Sequence, residues 1–150
     1  MCGVWHMAYA ASMDIYSQSA SLHPWGDSES PYEELGGEDR LRDLTEAFYD
    51  VVEETAPELR AMLPEDTSGS RQKLFEFLSG WMGGPSLYWK KHGHPRLRMR
   101  HAPFAIDDHA VLEWSRCLDS ALARIETPEQ LRVYLATELG KAAVSLRNQA

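Results

Sequence analysis

Cysteine is scarce in this chain: Cys2 and Cys117 are the two it has, and they stand far apart. Neither belongs to a CxxC pair or another compact ligand spacing, so nothing points to a disulfide framework and both are expected to be reduced thiols. Long apolar runs are missing as well. No stretch approaches the run of about 20 apolar residues that a membrane-spanning helix needs, so the chain is expected to be soluble, with no membrane partner. The first 29 residues hold no Lys or Arg, which removes the positive start of a secretory signal and leaves cytoplasmic residence as the expectation. Positive charge is the minority sign overall, with 15 Lys and Arg against 23 Asp and Glu and a net charge of -8. Such a balance repels phosphate backbones and argues against nucleic acid as a partner. Strand signals are equally thin: no Asn-Gly or Asp-Gly turn joins two alternating apolar runs, and β-branched residues are sparse. The fold class expected is all-α.

What is present is enough for one core. A chain of 150 residues buries roughly two thirds of its unfolded surface in a single domain. Residues 1–30 are rich in Ser and Ala, lack a sustained period and read as an N-terminal extension. Their Trp5, Tyr9, Ile15, Tyr16 and Trp25 suggest that part of it folds back as an extra helix. Residues 31–150 form the helical domain. From Glu38, Leu41, Leu44, Phe48 and Val52 recur at helical spacing, with Tyr49 flanking the stripe and Pro57 bounding it. Residues 70–82 place Leu74, Phe77, Leu78, Trp81 and Met82 on a second face before the breaking sequence Gly83-Gly84-Pro85. A third helix begins at Asp107-Asp108 and aligns Val111, Trp114, Leu118, Ala121, Leu122 and Ile125. The last opens at Thr127-Pro128-Glu129-Gln130, where Thr127 is placed to cap and Gln130 to reach back, ahead of Leu131, Tyr134, Leu135 and Leu139.

One segment, Tyr88 to Ile106 (YWKKHGHPRLRMRHAPFAI), suits neither a long helix nor a strand. Gly93 and Pro95 break it early and Pro103 late, leaving room for a short helical piece from Leu97 to His101. It holds three of the six histidines. His92, His94 and His101 admit two metal chemistries, a site with several imidazoles or a haem with one axial imidazole. Zinc wants three or four protein ligands in tetrahedral array, and no cysteine or well-placed carboxylate joins these three. A haem needs one imidazole, apolar side chains against the porphyrin and cations for its propionates. His101 runs directly into Ala102-Pro103-Phe104-Ala105-Ile106 and follows Arg96, Arg98 and Arg100. The same residues also read as an ordinary surface histidine beside a solvated basic run.

The run from Gly93 to Ile106 resembles the proximal region of group II truncated haemoglobins, where a GHPxLRxRHxPFxI pattern carries the histidine that binds iron. The likeness extends in order through Gly36-Gly37, Phe48-Tyr49, Pro64-Glu65-Asp66, Gly83-Gly84-Pro85 and Trp114, and so covers about residues 32–148. The resemblance implies a truncated globin fold, two antiparallel helix pairs crossed around a haem b. It makes His101 the axial ligand, and places Tyr49 and Trp114 on the distal side as donors to a bound ligand. Phe77, Leu74, Phe104 and Ile106 are expected to pack on the porphyrin, with Arg100 and then Tyr88 at the propionates. Two positions depart from the family. Leu63 stands where Tyr, Phe or His is common, removing a second distal hydroxyl. Ser70 stands where many globins have a distal histidine, leaving the gate open to ligands, with Arg71 placed to swing across it.

The function so implied is reversible binding of oxygen or another diatomic molecule by a monomer or homodimer. The same site also serves a peroxidase or a nitric oxide dioxygenase, which needs a separate reductase because the chain has no Rossmann glycine fingerprint or flavin domain. A haem-free helical binding module, its aromatic residues only core, is the reading of a different class.

Overall fold

A computed structural model describes residues 21–149. The extra helix expected in the extension, with Trp5, Tyr9, Ile15, Tyr16 and Cys2, falls outside that range. Among the described residues α1 (Pro31–Leu35) is capped by the Ser30 side chain, which accepts from the Glu33 amide. Gly36 and Gly37, both at positive φ, then turn the chain into α2 (Glu38–Thr55). Only glycine adopts that pair of conformations without strain.

On α2 the 3.6-residue period buries Leu41, Leu44, Phe48 and Val52 as the spacing requires, and adds Val51. Pro57 does more than bound it: as first residue it opens a short α3 (Pro57–Ala61), where its missing N–H costs nothing. Then come α4 (Ser68–Trp81), α5 (Leu87–His92), α6 (Leu97–His101), α7 (Asp108–Arg124) and α8 (Glu129–Ser145). The Asp107 carboxylate caps α7 by accepting from the Ala110 amide at 2.8 Å. None of the described helices is long and apolar enough to cross a membrane.

The core forms where α2 packs on α7 and α4, and α7 packs on α8. Leu44, Phe48, Phe75, Leu78, Leu118, Leu122, Leu131 and Leu135 meet there. Cys117 is buried among them, and burial pushes its thiol up, which makes it a packing residue rather than a reactive one.

Three expectations change. On α4, Phe75 is buried with Leu78 and Met82, whereas Leu74, Phe77 and Trp81 remain half-buried. This helix is flanked on two sides, so one apolar stripe does not describe it. The segment after Gly83-Gly84-Pro85 is not wholly irregular, because Leu87–His92 forms α5. Thr127 does not cap α8. Extended Pro128 occupies that position, and the Thr127 hydroxyl is buried with no hydrogen-bond partner among the described residues. Gln130, instead of reaching back, donates to the carbonyls of His23 and Pro24 and accepts from Ser21 Oγ. With Trp25 set edge-on to Tyr134 at 5.4 Å, these bonds lay residues 21–25 along α8.

Candidate functional site

The irregular segment narrows to a histidine whose tautomer is chosen. Arg96, left-handed at φ 46, leads into α6, a helix of five residues none of which is fully buried. At its end His101 is half-buried and its Nδ1 lies 2.7 Å from the carbonyl oxygen of Leu97, one turn back. A carbonyl only accepts, so Nδ1 carries a proton, and in the neutral ring Nε2 keeps its lone pair for a metal or other electrophile.

His92 and His94 are engaged elsewhere. His92 Nε2 is 3.1 Å from Glu76 Oε1. His94 Nδ1 accepts from the Arg96 amide at 3.0 Å, and its ring stands edge-on to Trp89 at 4.9 Å. The three imidazoles thus serve three different partners.

Among the described residues, the apolar side chains expected against the porphyrin are not fully buried. Phe104 is 38% exposed, and Ile106, Leu74 and Phe77 are half-buried. The Phe77 ring meets buried Tyr88 edge-on at 6.4 Å. Arg100 lies over the same tyrosine at 5.7 Å and donates from Nε to the Pro95 carbonyl at 2.9 Å. This group of Phe77, Tyr88 and Arg100 is one side of the site.

The side that the resemblance assigns to a bound ligand is built on α2 and α7. Phe48 touches both Tyr49, at 5.1 Å, and Trp114, at 5.4 Å. Burial pushes the Tyr49 hydroxyl up to about 12, against the opposing charge of Arg71, so it remains a neutral donor across the physiological range. Helix α4 joins the two sides. Arg71 on its first half faces Tyr49 at 5.7 Å, and Phe77, about 9 Å further along the axis, faces Tyr88.

Arg71 is not the mobile gate expected. It pairs with Glu46 at 2.6 Å, Asp50 at 3.0 Å and Glu53 at 3.2 Å, and its Nε donates to Thr67 Oγ1. Three carboxylates and a hydroxyl hold it in place. Ser70 is half-buried beside it, and Leu63 packs at the margin of the core.

Two contributors escaped the sequence reading. Glu76, only 5% exposed, binds His92, Lys91 at 3.2 Å and Gln72 at 3.4 Å. It thereby ties α4 to α5 beneath Tyr88. Asn148 donates from Nδ2 to the carbonyls of His101 at 3.4 Å and Phe104 at 2.9 Å, fastening the end of α6 to the C-terminal segment.

Residues 30–148 match the bacterial-like globin family. The group 2 truncated haemoglobin YjbI of Bacillus subtilis is 35% identical over 120 residues, 80% of this chain and 89% of its own length. Among solved structures, the group II truncated haemoglobin of Bacillus anthracis superposes with a TM-score of 0.79 at 32% identity. That match covers 81% of this chain and 98% of the other. The truncated oxygen-avid haemoglobin of Bacillus subtilis superposes with a TM-score of 0.75 at 34% identity, covering 80% and 100%. The all-α, truncated two-on-two globin fold expected from the sequence is therefore the fold of this chain.

Proposed function

The chain belongs to the bacterial-like globin family, and on that premise we propose that it holds haem b through His101 and reversibly binds oxygen or another diatomic molecule. The observation that carries this reading is the 2.7 Å bond between His101 Nδ1 and the Leu97 carbonyl. It orients the imidazole and leaves Nε2 as the ligating atom, the arrangement metal-binding histidines use. The residues present fit a porphyrin: half-buried Leu74, Phe77 and Ile106 and exposed Phe104 are apolar side chains that a flat macrocycle would cover.

A bound haem would supply an iron able to take one protein ligand and a small diatomic molecule. His101 Nε2 would hold it. Arg100, fixed through Nε, offers its terminal nitrogens to a propionate, and the Tyr88 hydroxyl is the second donor there. On the ligand side the neutral Tyr49 hydroxyl and the Trp114 indole N–H would be the donors to a ligand that gains negative charge on binding. Ser70 is small enough to leave a path past Arg71, and Leu63 adds no further donor.

The test is spectroscopic. Purified protein titrated with hemin is expected to develop a sharp Soret band with saturating one-to-one uptake, which shifts on reduction and again with CO. A folded protein that takes up no hemin would defeat the proposal.

A further inference from the structure

Between Glu76 and Asp107 the chain carries no carboxylate side chain but five Lys or Arg and three His, in a protein of net charge -8. The structure concentrates this charge on α5, α6 and the turn between them. Lys90, Arg96 and Arg98 are exposed, and Lys91 reaches Glu76 while its side chain stays 59% exposed. Among these cations Trp89 is 55% exposed and Met99 58% exposed. The His94 ring against Trp89 holds the indole at the surface. An exposed Trp and an exposed Met interleaved in the chain with exposed Arg and Lys have the composition of an interface centre with a charged rim.

The same two helices carry Tyr88 and Arg100, which the preceding proposal assigns to the propionates, and His101, which it assigns to the iron. Reversible oxygen binding needs ferrous iron, and each centre that becomes ferric requires one electron to return. The chain has no dinucleotide-binding glycine fingerprint of its own.

Resting on that haem reading, we propose that the outer face of α5 and α6 is the docking surface for an acidic one-electron donor protein. Trp89 and Met99 form its apolar centre, and Lys90, Arg96 and Arg98 its attracting rim. One electron leaves the donor's iron–sulfur cluster, which is oxidised by one unit, and reduces ferric iron to ferrous. No bond is made or broken. Opposite charge here speeds encounter and aligns the donor with the haem edge, an effect that salt weakens.

An acidic plant-type two-iron ferredoxin is the probe. Its binding is measured by calorimetry at low and high salt, on protein with and without haem, and its reduction of the ferric protein by stopped flow. The K90E/R96E/R98E variant is expected to lose binding at low salt and to be reduced by ferredoxin at least about tenfold more slowly. Reduction by dithionite and the CO spectrum should not change. Trp89→Ala should weaken binding while its salt dependence stays as in the wild type. Equal binding and equal rates in wild type and triple variant overturn the proposal. An equal loss from K73E/K141E, which places the same kind of change elsewhere, also overturns it, as does tighter binding to phosphatidylserine-containing vesicles than to ferredoxin. Failure to take up haem defeats the haem reading alone, since calorimetry on the haem-free protein still decides whether this face binds the acidic protein.

Discussion

Asn148 and Ile106 bond in both directions across 42 positions of sequence: the Ile106 amide donates to Asn148 Oδ1 at 2.9 Å, and the Asn148 amide donates to the Ile106 carbonyl at 2.9 Å. With the two bonds from Asn148 Nδ2 to the carbonyls of His101 and Phe104, one side chain near the C-terminus sets the loop after the proximal histidine. Asn148→Ala is expected to cost about 1 kcal/mol of stability, since the bonds are solvent-exposed. It should also speed hemin transfer to excess apomyoglobin severalfold. An unchanged transfer rate would reduce Asn148 to a surface residue.

Glu76 is a buried carboxylate kept charged. Burial pushes its pKa up, but hydrogen bonds from His92, Lys91 and Gln72 outweigh it and hold the value below the ordinary carboxylate range. A depressed folded-state pKa contributes stability above the unfolded value, near 4.5, that is lost as pH falls through the folded one. Glu76→Gln should therefore cost about 1.5 to 3 kcal/mol at neutral pH. Denaturant titrations of the two proteins should converge as pH falls from 4.5 through the lowered folded-state value. A constant gap down to pH 3 would contradict the charged state.

Arg71 sets one positive charge against three carboxylates. Arg71→Met leaves Glu46, Asp50 and Glu53 facing one another. Because they are partly exposed, the expected loss is about 1 to 2 kcal/mol, larger at low ionic strength. The salt dependence of the melting temperature checks it: added salt should narrow the gap to wild type.

On the ligand side, a hydrogen bond to a charged acceptor is worth about 1.5 to 3 kcal/mol, or roughly ten- to a hundredfold in affinity. Trp114→Phe and Tyr49→Phe are each expected to speed oxygen dissociation severalfold or more, and an unchanged off-rate would remove that residue from the mechanism. Tyr49 also has a signature at high pH. Its folded-state pKa is raised to about 12 from 10.0, so its contribution to stability is complete below pH 10 and is lost as pH rises through 12. The stability difference between wild type and Tyr49→Phe should shrink over that interval.

The site was most readable where the backbone is punctuated. Gly93, Pro95 and Pro103 confine α6 to Leu97–His101, and the motif around it singles out His101. Local periodicity also located α2 and α7. It failed where a residue's partner is distant or a helix has two neighbours. Phe75 lay hidden beside the more regular stripe of Leu74, Phe77 and Leu78, because α4 turns one face to the core and another to the site. Glu76 reads as a solvated acid until α5 folds onto it and brings His92 and Lys91. Asn148 has no local pattern at all. Thr127 had the right spacing for a cap, but the chain enters α8 through extended Pro128, which turns its hydroxyl away.

The most direct test of the account is the deoxy-ferrous spectrum of His101→Gly after hemin loading, with and without added imidazole. The expected result is loss of the wild-type Soret band and its restoration by imidazole, which would put the axial bond in the place His101 Nε2 occupies. A His101→Gly protein whose ferrous spectrum matches the wild type without imidazole would show that another residue holds the iron, and the site built around the Leu97-bound imidazole would fall.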